Sequence, residues 1–160
     1  MCIRDSFFTS LSCHTIIYKA LTDGSELENF YLDLKNENYK TRLAIFHRRF
    51  STNTLSSWDK IQPFRMIAHN GEINTIEGNK SAAISREKQI GLRADELITH
   101  HGSSDSGNLN GMVEALKYRS SIPNVTEILS ILVPPAGKNT SEYFRFWSRE
   151  YPDFLCTEYN

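Results

Sequence analysis

The order of its apolar segments constrains the fold of this chain more than any other feature. Three short runs of strand length come first, and their β-branched and aromatic residues favour extended backbone. A segment with helical spacing, residues 27–34, lies between the first and second of these runs, and further segments with helical composition or spacing follow from about residue 76 onward. The chain is therefore expected to contain both strands and helices. The strand-length runs are residues 12–20, 43–46 and 64–69, the last introduced by Pro63.

Helices are predicted from apolar residues that recur at i, i+3 and i+4, and each such stripe is interpreted as a core-facing side. Ser25 is expected to cap the first helix. A further helix is predicted over residues 76–89 and is expected to end at Gly91. Prolines separate or end the later helices. The stripes are Leu27, Phe30, Tyr31 and Leu34; Leu109, Met112, Val113 and Leu116; Val125, Ile128, Leu129 and Leu132; and Tyr143, Phe144 and Trp147, with prolines at Pro123, Pro134, Pro135 and Pro152.

Charge and composition exclude several classes of function. The 160 residues suffice for one domain with a buried core, and a net charge of −1 gives no long-range attraction for nucleic acid or an anionic membrane. No segment approaches the roughly 18 uninterrupted apolar residues that span a bilayer. The three cysteines are too few and too scattered for a disulfide framework or a zinc site. Composition therefore predicts a soluble, cytoplasmic globular domain.

Polar residues follow the second strand-length run in the segment HRRFSTNT, residues 47–54. An arginine guanidinium in this segment offers a planar fork of donors suited to a carboxylate, and neighbouring Ser and Thr hydroxyls complete such a site. The same residues also fit an ordinary solvated turn, which spacing alone favours.

The segment HNGEIN, residues 69–74, follows the third run in the same way. Asn70 and Gly71 form a strong turn signal, because both residues tolerate positive φ, and spacing alone favours a hairpin turn. In the functional interpretation, the Asn70 amide and the Gly71 N–H form an oxyanion hole. Losing one such donor costs on the order of 3 kcal/mol of transition-state stabilisation.

The segment GSSDSG, residues 102–107, precedes a predicted helix. Either Ser106 or Asp105 is expected to cap that helix. The Asp105 carboxylate is in addition a candidate partner for a cationic group of a substrate.

Together these segments resemble a known family. The stretch HRRFSTNTLSSWDKIQPFRMIAHNGEINTIEGN is similar to the glutamine amidotransferase domain of the glutamate synthase large subunit. The similarity extends to SLSCHTIIYKAL, SSDSGNLNGMVEAL and, more loosely, ILSILVPPAGKN, and covers roughly residues 7–150. The motif HNG occurs across class II amidotransferases, whereas FSTNT followed by SWDKIQPFR favours glutamate synthase.

The resemblance implies an α+β fold, part of the αββα four-layer sandwich of N-terminal nucleophile hydrolases. It implies hydrolysis of glutamine by an N-terminal cysteine whose own α-amino group is the base. By resemblance, the α-carboxylate of glutamine is held at Arg49, and the α-amino group at Asp105. The implied substrate-binding residues are Arg49, Thr52, Asn53 and Asp105, and the implied oxyanion-hole residues are Asn70 and Gly71.

The nucleophile of the family has no counterpart among the cysteines. Cys13 lies in a predicted structural strand, Cys156 lies in the poorly matched tail, and Cys2 is followed by Ile3 rather than glycine. The 160 residues are therefore expected to be a single partial domain, inactive alone. Residues 1–6 are interpreted as a non-native scar or the trace of a truncated reading frame.

The resemblance also implies partners outside this chain. Ammonia released from L-glutamine would aminate 2-oxoglutarate at a synthase site that uses FMN and an iron–sulfur cluster, both in later domains. No cysteine cluster or glycine-rich phosphate loop for them occurs here. The electron source is a small electron-transfer subunit or ferredoxin, and a plastid location is expected for a photosynthetic eukaryote. No metal, nucleic acid or membrane partner is expected.

Three alternatives to this interpretation use other residues or another activity. A metal-dependent hydrolase would use His69, His100, His101 and Asp105, but adjacent histidines diverge on a regular element and no HExxH-type spacing occurs. A non-catalytic amino-acid-binding module would keep the charged residues that hold glutamine. A shortened glutaminase would use Cys2 after removal of Met1.

Overall fold

The computed structural model describes residues 8–48, 57–70, 73, 77–99, 102–122, 124–133 and 142. The chain divides into two compact units, Met1–His69 and Asn70–Asn160. They are called the N-terminal unit and the C-terminal unit, and each is described by itself.

In the N-terminal unit, three short helical turns replace the single helix predicted from Leu27 onward. A 3₁₀ turn (Gly24–Glu26), helix α1 (Leu27–Phe30) and a second 3₁₀ turn (Leu32–Lys35) follow one another. The break falls at Tyr31, whose backbone is extended (φ −117°, ψ 93°). Its hydroxyl donates a hydrogen bond to the Lys19 carbonyl oxygen at 2.5 Å. A tertiary contact therefore interrupts the helix that local spacing favours.

The cap predicted for this helix is wrong, and its apolar face is only partly covered. The carboxylate of Asp23, rather than Ser25, caps the first turn by accepting a hydrogen bond from the Ser25 N–H at 3.1 Å. None of the residues in the three turns is buried. Leu27, Tyr31 and Leu34 of the predicted stripe are half-buried, whereas Phe30 is 63% exposed.

The prediction of three strands is also wrong where the structure describes the residues. Residues 12–20, 43–48 and 64–69 contain no strand. A strand requires a partner that completes its ladder of backbone hydrogen bonds. At Ile17 side chains take that place, since its N–H donates to Ser10 Oγ and its carbonyl accepts from Thr9 Oγ1. Local side-chain bonds of this kind compete with ladder pairing.

Lys19 is the buried polar centre of the N-terminal unit. Its Nζ donates to the carbonyl oxygens of Trp58 at 2.8 Å and Ile61 at 2.7 Å, and it lies 5.5 Å from the centre of the Phe64 ring. Burial, reinforced by the Arg65 guanidinium, lowers the pKa of Lys19 from 10.5 to about 8. The lysine thereby joins residues that are distant in sequence.

The hydroxyl of Tyr18 forms a second polar cluster in this unit. It donates a hydrogen bond to the Asp33 carboxylate, and this bond raises the pKa of Tyr18. The Tyr18 ring lies 4.7 Å from the ring of Tyr31, centre to centre. Polar and aromatic contacts thus hold the turns of this unit.

In the C-terminal unit the structure gives bounds for three helices among the described residues. Helix α2 (Glu77–Gln89) confirms the helix predicted over residues 76–89, and Gly91, with φ +88°, lies directly after it as predicted. Helix α3 (Asp105–Arg119) packs against both α2 and helix α4 (Val125–Leu132). The buried apolar residues of the unit are Ala83, Leu92, Leu109, Met112, Val113, Ala115, Leu116, Ile122, Ile128, Ile131 and Leu132.

The α3 stripe is confirmed in full, because Leu109, Met112, Val113 and Leu116 are all buried. Its predicted cap is wrong. Ser104 is the N-cap and accepts a hydrogen bond from the Gly107 N–H at 3.1 Å, which makes Asp105 the first helical residue. The last predicted stripe (Tyr143, Phe144 and Trp147) and the prolines at 123, 134, 135 and 152 lie outside the described residues.

In the part of the chain that the structure describes, no helix combines the length and apolarity needed to cross a bilayer. Cys13 is exposed and forms no disulfide. Cys2 and Cys156 lie outside the described residues.

Candidate functional site

Two of the predicted site residues, Asn70 and Asp105, belong to the described part of the C-terminal unit. Asn70 lies in an exposed bend. Its proposed oxyanion partner Gly71 is outside the described residues, as are Arg49, Thr52 and Asn53. The geometry of the site is therefore built from Asp105 outward.

Asp105 owes its position to the start of α3. Ser104 caps the helix from an extended conformation (φ −73°, ψ 156°), so the chain turns into helix at Asp105. A carboxylate in the first turn interacts favourably with the helix dipole. The Asp105 side chain is 33% exposed. It is thus an accessible anion on a rigid element.

Lys80 brings a cation from α2 to this carboxylate. Its Nζ lies 4.0 Å from Asp105 Oδ1 and 3.4 Å from Glu77 Oε1, and its side chain is only 12% exposed. A ligand ammonium that approaches Asp105 would meet Lys80 beside it, and Glu77 offers Lys80 a second anion. Lys80 therefore partly neutralises the Asp105 carboxylate, and a second cation has to compete with Lys80 for that carboxylate.

Glu87 is a second residue near this region that the sequence pattern does not single out. It is fully buried on α2 and accepts hydrogen bonds from the backbone of Ile98 and Thr99. The only hint in the sequence is that Glu87 follows the apolar Ala83 by four residues, about one helical turn. In the structure Ala83 is also fully buried. For Lys80 no such signal exists, because its neighbour Asp105 is distant in sequence.

No group of three or more His, Cys, Asp or Glu that could hold a metal occurs among the described residues. His69 is half-buried and already has an interaction partner, whereas His100 and His101 lie outside the described residues. Among the described residues there is accordingly no ligand set for an iron–sulfur cluster.

Comparison with known proteins identifies the family of this chain. The family described as "Glutamine amidotransferases class-II" matches residues 2–158. Ferredoxin-dependent glutamate synthase 2 of Synechocystis sp. is 43% identical over 144 residues, which are 85% of this chain and 9% of that protein. The chloroplastic ferredoxin-dependent glutamate synthase of Spinacia oleracea is 45% identical over 140 residues, 83% of this chain and 8% of that protein.

A relative with a different electron donor in its name also matches. Glutamate synthase [NADH] of Saccharomyces cerevisiae is 40% identical over 137 residues, 81% of this chain and 6% of that protein. The chain thus spans less than a tenth of the length of these relatives. No solved structure matches it significantly. The motifs around Arg49, Asn70 and Asp105 agree with the family match over residues 2–158, and the chain belongs to the class II glutamine amidotransferases.

Proposed function

We propose that this chain is the glutamine-binding part of the glutaminase domain of a glutamate synthase. The observation that carries the proposal is the half-exposed Asp105 carboxylate, held at the first position of α3 beside Lys80. A partly exposed carboxylate fixed on a helix can accept charge-assisted hydrogen bonds from a ligand ammonium, and Glu77 provides a second anion for Lys80. The names of the relatives support glutamate synthase as the parent enzyme.

In this proposal the two ends of the amino acid are bound by opposite charges. Arg49 binds the α-carboxylate of glutamine through its planar fork of donors, and Asp105 binds the α-ammonium. Thr52 and Asn53 complete the carboxylate site with polar groups. Recognition at both ends selects an α-amino acid and leaves the side-chain amide free for reaction.

The reaction at the amide is acyl transfer. A cysteine thiolate attacks the amide carbon, and the Asn70 amide and Gly71 N–H stabilise the negative charge on the oxygen. The C–N bond then breaks and the nitrogen takes up a proton, which releases ammonia and leaves a thioester. Water hydrolyses the thioester to glutamate and frees the thiol. Ammonia passes to the synthase domains of the parent for reductive amination of 2-oxoglutarate.

We further propose that residues 1–160 form one partial domain of the αββα type and hydrolyse little or no glutamine alone. None of Cys2, Cys13 and Cys156 lies in a glycine-containing start like that of the family nucleophile. FMN and the iron–sulfur cluster belong to other domains of the parent, which receive electrons from a small subunit or ferredoxin. A cytoplasmic or plastid location fits the cyanobacterial and chloroplastic relatives.

The test measures L-glutamine binding by calorimetry together with ammonia release and labelling by a glutamine-like electrophile. We expect binding without ammonia and without an adduct. Asp105→Asn should weaken binding roughly tenfold, because a charge-assisted bond is lost. Asp95→Asn, an exposed carboxylate of the same unit, is the matched control and should leave binding unchanged.

Two results would contradict the proposal. Equal glutamine affinity in Asp105→Asn and the unsubstituted chain would remove the assigned role of Asp105. An adduct on Cys2 with ammonia release, both lost in Arg49→Ala, would show a shortened but active glutaminase.

A further inference from the structure

Glu87 is a buried carboxylate that the proposed reaction does not use. Its side chain is fully buried on α2, where Ala83 is also buried. A carboxylate in such surroundings is stable only when its oxygens accept hydrogen bonds. Its partners therefore indicate what the residue holds in place.

Both oxygens of Glu87 bind the segment that leads toward α3. Oε2 accepts from the Ile98 N–H at 2.9 Å, and Oε1 accepts from the Thr99 N–H at 3.0 Å and the Thr99 Oγ1 hydroxyl at 2.6 Å. Hydrogen bonds to a charged acceptor are stronger than neutral ones. Glu87 thus fixes both backbone and side chain at the end of this segment.

The fixed segment packs directly on α3. A β-carbon added at Gly111 would overlap Ile98 Cγ2 and lie 3.2 Å from Ile98 Cβ, so the glycine permits this close approach. Helix α3 also contacts α2 itself. The position of α3 relative to α2 therefore depends on where Glu87 holds Ile98 and Thr99.

Asp105 is the first residue of α3, and its neighbour Lys80 belongs to α2. We propose that Glu87 is a positioning residue that sets where Asp105 stands for the ligand ammonium. This inference rests on the proposed function, because the ligand is taken to be an α-amino acid. Glu87 touches neither ligand nor reacting atoms and acts through Thr99, Ile98 and α3.

The first test needs no ligand and follows amide hydrogen exchange by NMR in the full chain. Glu87→Gln replaces one acceptor with a donor that faces the Thr99 groups or the Ile98 N–H. We expect the Gly107 amide, bonded to the Ser104 cap, to exchange roughly tenfold faster. The Glu127 amide, bonded to the Asn124 cap of α4, is the matched internal control and should not change.

A milder pair of variants keeps the test valid where Glu87→Gln folds poorly. Thr99→Val removes the hydrogen bond from the Thr99 hydroxyl to Glu87 and should accelerate exchange of the Gly107 amide. Thr99→Ser keeps the hydroxyl and should exchange as slowly as the unsubstituted chain. Unchanged Gly107 exchange in Glu87→Gln and Thr99→Val would overturn the proposal. Equal acceleration at Gly107 and Glu127 would also overturn it, since that indicates general destabilisation.

The second test separates positioning from structural loss by the choice of ligand. Glutaramic acid is glutamine without its α-amino group and cannot use Asp105. Glu87→Gln should weaken glutamine roughly tenfold and leave glutaramic acid unchanged. Ile128→Val, a fully buried site on α4, controls for core destabilisation and should leave the ratio of the two affinities unchanged. A parallel loss for both ligands in Glu87→Gln would contradict positioning.

These tests keep the two proposals distinguishable. If the unsubstituted chain binds glutamine and glutaramic acid equally, the assigned role of Asp105 fails, while the exchange experiment still decides whether Glu87 places α3. If the unsubstituted chain prefers glutamine and Glu87→Gln keeps that preference, the positioning role alone fails.

Discussion

The C-terminal unit encloses apolar side chains between helices, whereas the N-terminal unit leaves most of its described large apolar side chains in contact with solvent. Met112, Leu116 and Ile128 are fully buried in the first, while Leu32 and Phe46 are 71% and 81% exposed in the second. A helix satisfies its own backbone and needs a neighbour only for one face. Extended segments need a partner for backbone and face alike. Extended segments therefore depend more than helices on contacts with the rest of the structure.

The polar interactions of the two units differ in the same direction. In the N-terminal unit Lys19 holds two carbonyl oxygens of a turn, so a charged group occupies the centre. In the C-terminal unit Glu87 holds a connecting segment against helices that already share an apolar core. Polar contacts thus hold the centre of the N-terminal unit, whereas in the C-terminal unit they fix a segment on an apolar core that is already packed.

The largest expected effect contrasts a buried leucine with an exposed one. Leu116→Ala should lower the free energy of unfolding by roughly 2–5 kcal/mol, because it leaves a cavity in a packed core. Leu32→Ala should change it by no more than about 0.5 kcal/mol. Urea unfolding followed by far-ultraviolet circular dichroism measures both. A loss at Leu32 as large as that at Leu116 would show that the exposed side chains are covered in solution.

A smaller effect is expected at a glycine of each unit. Gly91→Ala should cost about 1–2 kcal/mol, because φ +88° is strained for any residue with a β-carbon although nothing lies nearby. Gly24→Ala should cost no more than about 0.5 kcal/mol, since the nearest atom is Nε of the flexible Arg48 side chain at 3.3 Å. The same urea experiment compares them. An equal cost for both would refute the assigned left-handed helix end.

The smallest expected effect is a pH dependence that belongs to the N-terminal unit. The folded-state pKa of Lys19 is about 8 against an ordinary 10.5, so between these values the unfolded chain binds more protons. Stability should therefore rise with pH across this window. Within this window the neutral amine still donates hydrogen bonds to the carbonyl oxygens of Trp58 and Ile61, so loss of the charge does not remove these contacts.

Denaturation followed by Trp58 fluorescence at pH values spanning 8 to 10.5 measures this slope in a Trp147→Phe background. Lys19→Met should flatten this slope of stability against pH. Lys60→Met, which replaces a lysine of the turn that Lys19 binds, should leave the slope unchanged. A slope that survives Lys19→Met would assign the titration to another group.

The sequence by itself determined the helices of the C-terminal unit and the family. The α3 stripe from Leu109 to Leu116 and the end of α2 before Gly91 depend on local spacing and on one φ value. Motif order supplied the family, and the match over residues 2–158 agrees with it. These features depend on residues close together in the chain.

Tertiary structure alone decided the rest. Side-chain bonds at Ile17 stand where a strand ladder was predicted, and the contact of Tyr31 with Lys19 divides the first helix. Lys80 lies beside Asp105, and Glu87 accepts hydrogen bonds from Thr99. Each pair joins residues from different parts of the chain. Local propensity contains no information about such pairs, because their free energy depends on burial and on partners that come together only on folding.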